Sequence, residues 1–238
     1  MYMQPDCLTL ICKHLTNEKI VNSLCENGTR NWAVRGILDA NLKLFPLSLD
    51  TKVLSKLFED QLTPLLEEIC NDNGWNLHEA EYQNQYPDFT IDLNDKNNTR
   101  IALDVKSTYR NTSRSLNGMT LGAYSKTSYF VNRDSTKNIL FPYSTYSSHL
   151  ALGIVYDRIN VDTETITMRS LDDVHRMTSP VQNMQFFIRP KWAIALKRPG
   201  SGNTKNIGGI KNLDDILRGK SVFKNEDEFD EYWMSYDN

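Results

Sequence analysis

The sequence is poor in the residues from which disulfide frameworks and zinc sites are built. Its 238 residues hold only four cysteines and four histidines. Cys7, Cys12, Cys25 and Cys70 have no CxxC spacing and three crowd the N-terminus, so reduced, mostly buried thiols are expected rather than paired ones. His14, His78, His149 and His175 are scattered and form no HExxH, which argues against zinc. No apolar run approaches the ~20 residues that span a bilayer. The opening MYMQPDCLTLICKHL lacks a basic n-region and its apolar run is stopped by Lys13; no signal peptide, no membrane partner and a cytoplasmic location are expected. Nucleotide-binding loops are absent too. GSGNTKNIGG, residues 200–209, has Lys205 where GxGxxG needs its third glycine, and GKS at 219–221 has Asp214 where a P-loop needs its first. No repeat or low-complexity segment occurs.

What is there is ordinary in amount and uneven in placement. With 39% apolar and 24% charged residues, the chain reads as globular, with one domain over residues 1–238. Net charge is −3, which looks wrong for a nucleic-acid binder, but the charges segregate. Residues 39–95 hold twelve acids against three bases, whereas 100–140 hold seven bases against two acids. Residues 185–224 carry nine bases and two acids, and the last fourteen carry six acids and no base. Such segregation permits a basic face on an acidic protein.

Residues 51–73 carry apolar side chains at 53, 54, 57, 58, 62, 65, 66 and 69. That spacing predicts a helix, capped by Asp50, ended by Gly74 and kinked at Pro64. Strands are expected at 88–93 and 100–106, then a loop, a short helix and a buried strand within 138–156. WAIALK at 192–197 reads as another strand, GSGNTKNIGG as a loop, and 226–236 as a short acidic helix. The fold class is α/β (α+β).

The stretch YPDFTIDLNDKNNTRIALDVKSTY, residues 86–109, is the informative one. Side chains alternate along a strand, so Ile101, Leu103 and Val105 share one face and leave Asp104 and Lys106 on the other. Matching apolar partners sets Ile91 opposite Ile101 and Phe89 opposite Leu103. Asp92 then meets Arg100, the turn is Asn94–Asn98, and Asp88 falls across from Asp104 with Lys106 one step further along. Opposed carboxylates repel unless a cation intervenes. A solvated hairpin end with Lys106 as counter-ion is one reading, and a hard-metal site is the other. Oxygen ligands without histidine or thiolate favour Mg²⁺, and a carboxylate pair, a hard metal and a lysine together equip a protein for phosphodiester hydrolysis.

Pro87-Asp88, a gap, and Asp104-Val105-Lys106 match the PD-(D/E)xK nuclease signature. SLDTKVLSKLFE (48–59), QNQYPDFT (83–90), IALDVKSTY (101–109), MTLGAY (119–124), TKNILFPYSTY (136–146), GSGNTKNIG (200–208) and FKNEDEFDEYW (223–233) resemble, collinearly from about residue 33 to 236, the EcoRV family of type II restriction endonucleases. The resemblance implies a restriction-endonuclease-like core, a mixed, largely antiparallel sheet flanked by helices, with a small dimerisation subdomain that includes about 33–46. It implies a Mg²⁺-dependent homodimer (Mn²⁺ substituting) that cuts double-stranded DNA at a short palindrome, GATATC or a close relative, leaving blunt ends with 5′-phosphates. A cognate DNA methyltransferase is the partner expected in the same system.

Carried over by position, Asp88 and Asp104 are metal ligands, Lys106 is the catalytic lysine and Glu59 an auxiliary acid at the metal. Gly200, Ser201, Gly202, Asn203, Thr204, Lys205 and Asn206 fall in the major-groove recognition loop, 200–208. Gln83 and Asn84 fall in a loop near the minor groove, and Thr120 and Lys137 in segments that meet DNA. Glycines admit close backbone approach, and asparagine can pair bidentately with adenine. Gly118 stands where the family has a lysine, and Lys205 where it has a small polar residue. The chain stops at Asn238, short of the family's end, so some C-terminal phosphate contacts are expected to be missing. A structure-selective repair or resolving nuclease, and a DNA-binding module without activity, are the alternatives.

Overall fold

The computed structural model describes residues 6–82, 84–125, 128–159, 169–200 and 205–236. Helices α1 (Cys7–His14) and α2 (Asn17–Leu24) lead into strands β1 (Gly36–Leu38) and β2 (Lys43–Pro46) and the long helix α3 (Thr51–Asn73). Strands β3 (Asn76–Glu79), β4 (Phe89–Asp92), β5 (Arg100–Tyr109), β6 (Thr120–Ala123) and β7 (Ser148–Arg158) follow. After β8 (Arg169–Ser170) come β9 (Val181–Pro190), β10 (Ala195–Pro199), β11 (Asn206–Gly209), α4 (Leu213–Leu217) and α5 (Glu226–Ser235).

A five-stranded sheet of order β3-β4-β5-β7-β9 forms the centre. Its pairs are antiparallel except β5 with β7. A parallel pair needs a crossover, here residues 110–147. One sheet face carries Phe89, Ile91, Ile101, Leu103 and Val105, packed with Leu54, Phe58, Leu62 and Leu66 of α3 and with Ile11 and Ile20 of α1 and α2. The opposite face, with Ala102, Ala151 and Val155, packs on Leu121, Phe130, Tyr143, Ile207, Phe229 and Trp233. That second layer holds the small sheet β10-β11-β6, the crossover and the C-terminal helices. A third sheet, β1-β2-β8, stands apart from the central one.

Helix α3 begins and ends as its termini dictate. Asp50 accepts from Lys52 N at 2.8 Å and Val53 N at 3.3 Å, satisfying orphan donors of the first turn, and Gly74 closes the helix at φ 68°. It remains one element through Pro64. The hairpin has the expected register, Phe89 with Leu103, Ile91 with Ile101 and Asp92 with Arg100. Its turn is closed by Leu93 N to Thr99 O at 3.0 Å, and the short helix of the 138–156 segment is a 3₁₀ turn, Tyr143–Thr145.

Three expectations are corrected. WAIALK is not one strand: Lys191–Ile194 is a 3₁₀ turn after Pro190, and the strand starts at Ala195. The apolar run is buried because it turns into the core, not because it is extended. Residues 206–209 of the presumed loop form β11, hydrogen-bonded between β10 and β6. Only two of the four thiols, Cys25 and Cys70, are buried; Cys12 is exposed. Among the described residues no helix is long and apolar enough to cross a membrane.

Candidate active site

The hairpin end is where the charges gather. One step beyond the ladder pair Phe89–Leu103, the Asp88 carboxylate turns inward and its Oδ2 accepts the Val105 N–H at 2.7 Å. Asp104 Oδ2 lies 2.6 Å from Lys106 Nζ, and that ammonium also reaches the Val105 carbonyl at 3.4 Å. Asp104 is only 7% exposed. Burial, and next the charge of Asp104, push the Asp88 carboxyl well above the usual carboxylate range, with Lys106 and the Val105 N–H offsetting part of the rise. For Lys106 burial acts downward, but Asp104 and Asp88 outweigh it and the net shift is upward, so the ammonium stays charged.

A cleft of about 620 Å³ opens at this end, walled by Ser55 and Glu59 of α3, by Tyr82, by Asp88 and Lys106, and by Thr120 of β6. Ser55 Oγ and Ser107 Oγ, 2.6 Å apart, tie the helix to β5. Glu59 is therefore not a free helix glutamate. It is half-buried, and burial raises its carboxyl above the ordinary value against the pull of Lys56 and Lys106. Lys56 bridges it at 3.5 Å and Asp60 at 2.9 Å.

The remaining expected residues divide. Thr120 is exposed on the cleft wall. Gly200 packs against it, so that a Cβ there would meet Thr120 Cγ2 at 3.0 Å, and Gly200 N donates to Asn206 O at 2.7 Å. Asn206 opens β11 opposite Ala123, and Tyr124 N donates to Lys205 O at 2.8 Å. The two ends of the 200–206 segment are thus rooted beside the cleft. Gln83, Ser201, Gly202, Asn203 and Thr204 lie outside the described residues. Asn84 is exposed in the turn closed by Gln85 N to Tyr82 O at 3.0 Å. Lys137 is exposed and not among the cleft walls, although its neighbour Asn138 accepts from Tyr86 N at 3.0 Å. Over Gly118 lies the side chain of Lys211, its Cε 3.3 Å from where a Cβ would stand; a cation covers the position although the residue there has none. Sequence reasoning does not single out Ser55 or Tyr82. For Ser55 the signal exists, since it lies four residues before Glu59 and therefore on the same helix face.

Among the described residues no three His, Cys, Asp or Glu side chains form a group that could hold a metal ion. Mg²⁺ needs no such group, since one or two carboxylates can hold it with waters and substrate phosphates as its other ligands. Two neighbouring carboxylates, Asp104 buried and Asp88 half-buried, the second driven toward protonation by burial and by the charge of Asp104, suit such an ion. The same strain gives a testable sign. In the unfolded chain Asp88 ionises in the ordinary carboxylate range; in the metal-free fold it stays protonated to higher pH, so stability is lost as pH rises through the folded value. Asp88→Asn is expected to stabilise the metal-free protein at pH 8 by about 0.5–2 kcal/mol, a rise of several degrees in Tm, with a smaller gain at pH 5. Melting curves in EDTA at the two pH values check this; an equal or lower Tm for the variant at pH 8 refutes it.

By class the chain is a nuclease of the restriction endonuclease type. The family described as "Restriction endonuclease EcoRV" matches residues 28–238, and the chain belongs to it. The type II restriction enzyme EcoRV of Escherichia coli is 36% identical over 219 residues, 92% of this chain and 87% of that protein. Among solved structures, the NlaIV restriction endonuclease superposes with a TM-score of 0.49 at 17% identity, covering 91% of this chain and 70% of that one. This protein is a type II restriction endonuclease.

Proposed function

We propose that the enzyme is a Mg²⁺-dependent homodimer of the cytoplasm that cuts duplex DNA at GATATC or a close relative, leaving blunt ends with 5′-phosphates. The observation that carries this reading is the meeting of Asp88, Lys106 and Glu59 in one cleft with Thr120, the residue beside which the 200–206 segment is rooted. Asp88 and Asp104 would hold the ion, which when bound lowers the pKa of a water and offsets charge on the phosphate. Lys106 is kept charged by its acid neighbours, so it can hold a non-bridging phosphate oxygen or orient the attacking water. Glu59, with its raised carboxyl, can take part in proton transfer at the cleft wall. Attack breaks the P–O3′ bond and leaves the phosphate on the 5′ side. A methyltransferase that modifies the same sequence is the partner such an activity requires in its host.

The deciding experiment is incubation of plasmid with Mg²⁺ followed by sequencing of the ends. Discrete blunt cuts at one palindrome support the reading. Nicking at junctions would favour a structure-selective nuclease, and no cleavage a binding module. Mg²⁺ or Mn²⁺ should support cutting, whereas Ca²⁺, with its larger and looser coordination, should support binding alone. Full activity in excess EDTA would remove the metal from the mechanism.

A palindrome is read most simply by a two-fold symmetric protein. The sheet β1-β2-β8 offers a surface for it: Ile37 (54% exposed), Leu38, Leu42 and, on the turn after β8, Leu171 are uncovered apolar side chains, and a patch of this kind marks an interface. Leu42→Asp should shift the mass in light scattering from dimer to monomer. A wild-type enzyme that is monomeric on DNA would refute the dimer.

A further inference from the structure

On the face of the central sheet opposite α3 a lysine is buried with no acid within ion-pair distance among the described residues; burial lowers the pKa of its ammonium to about 8 against the more distant pull of Asp104, Asp230 and Glu226. Lys191 is 4% exposed and has no ion pair among the described residues. Its Nζ lies instead over aromatic rings, 4.7 Å from the centre of Tyr86 and 5.5 Å from those of Phe130 and Tyr143. Room for it comes from Gly122, where a Cβ would stand 3.6 Å from Nζ and 3.0 Å from Tyr129 Oη. Beside it His149, also 4% exposed, stacks on Tyr143 at 3.8 Å and bonds Tyr86 Oη through Nδ1 at 2.8 Å. Burial, with Lys191 and Arg133 adding to it, pushes that imidazole well below the usual histidine range, so it is neutral.

A buried ammonium is destabilising unless something compensates it, and rings compensate only in part. What this cluster touches suggests its use. Tyr86 is two residues before Asp88, and its backbone is held on both sides by Asn138 O at 3.0 Å and Leu140 N at 2.8 Å. His149 lies on β7 opposite Ala102 of β5, two residues before Asp104. The Tyr86–His149 bond therefore ties the approach to one carboxylate to the strand beside the other, and Lys191 presses on the ring that makes it.

We propose that Lys191 is a positioning residue: through the Tyr86–His149 bracket it holds the segment of Asp88 against the strand of Asp104 and so sets the spacing of the carboxylate pair for a divalent cation. The inference rests on the metal-site reading above. Removing a group that hydrogen-bonds a metal ligand commonly weakens the site 10–100-fold; Lys191 acts one step further out, so the low end of that range is expected.

The test uses DNA-free full-length protein, with Mn²⁺ binding read by electron paramagnetic resonance and plasmid cleavage read separately. Lys191→Met keeps the length of the side chain and removes its charge, and Lys191→Arg restores a cation. The expectation is about tenfold weaker Mn²⁺ binding for Lys191→Met, at a Tm no lower than wild type, with kcat for cleavage falling more than KM rises and partial rescue in Lys191→Arg. Wild-type Mn²⁺ affinity in a folded Lys191→Met overturns the proposal. Should Lys191→Met fail to fold, Tyr86→Phe, which deletes only the hydroxyl that bonds His149, is expected to weaken Mn²⁺ in the same way; unchanged affinity there overturns it too. The two readings fail separately. Wild-type protein that binds Mn²⁺ but never cuts DNA defeats the proposed activity and leaves the bracket standing, whereas wild-type protein that binds no Mn²⁺ defeats both.

Discussion

Asp104→Ala is expected to lower the cleavage rate by at least about three orders of magnitude, about 4 kcal/mol of transition-state stabilisation, while the protein keeps its fold. The two halves of that statement have separate reasons. Leu103 and Val105, on either side, supply the apolar contacts of this part of β5, and Asp104 projects from the other face. Its loss therefore opens no cavity in the core beneath α3. The chemistry suffers twice. One of the two carboxylates proposed to hold the cation is gone, and Lys106 loses the partner that held its Nζ at 2.6 Å. Single-turnover cleavage with saturating Mg²⁺, alongside a melting curve, checks both. A folded variant that cuts within tenfold of wild type would show that Asp104 is a counter-ion for Lys106 and no more.

Asn203→Ala should separate recognition from grip. An amide that pairs bidentately with adenine contributes roughly 1–3 kcal/mol of discrimination, and a two-fold symmetric complex uses it twice, so cognate cleavage should fall by orders of magnitude. Affinity for random duplex should barely change, because non-specific binding rests on phosphate contacts. Lys205→Ala is the contrast. If Lys205 meets a phosphate, its removal weakens binding to every sequence alike and lowers the salt slope by about one unit. Cleavage of the cognate site and its single-base variants, with binding to random DNA at several salt concentrations, distinguishes the two. Wild-type cutting by Asn203→Ala would remove this residue from the reading of sequence.

The parts of the fold legible in the sequence are those settled locally. Helix α3 announces itself by its apolar spacing and by Asp50 and Gly74 at its ends, and the β4–β5 register follows from matching Phe89 and Ile91 with their partners. The facing of Asp88 and Asp104 is a consequence of that register. What escapes is settled by distant partners. Asn206–Gly209 contains two glycines and little intrinsic preference for a strand; it is one because β10 and β6 lie on either side. WAIALK has the composition of a strand, yet Pro190 and the packing of Lys191 turn its first half into a 3₁₀ helix. The eight-residue helices α1 and α2 are too short for their periodicity to stand out. The aromatic cluster around Lys191 draws on residues 86, 122, 129, 130, 143, 149 and 191, which no local pattern connects.

The single parallel pair in the central sheet bears on the order in which the enzyme is assembled. Strands β4 and β5 are joined by a five-residue turn and can zip up as soon as both exist, whereas β5 meets β7 only after the crossover of 110–147 has been laid over the sheet. Loop closure favours the near contact over the far one. The nascent chain thus brings its acidic pair together early, while Thr120 and the strands that root the 200–206 segment join it only when later residues arrive. A half-made molecule holds its carboxylate pair before Thr120 of the far cleft wall, and the strands β10 and β11 beyond it, are in place.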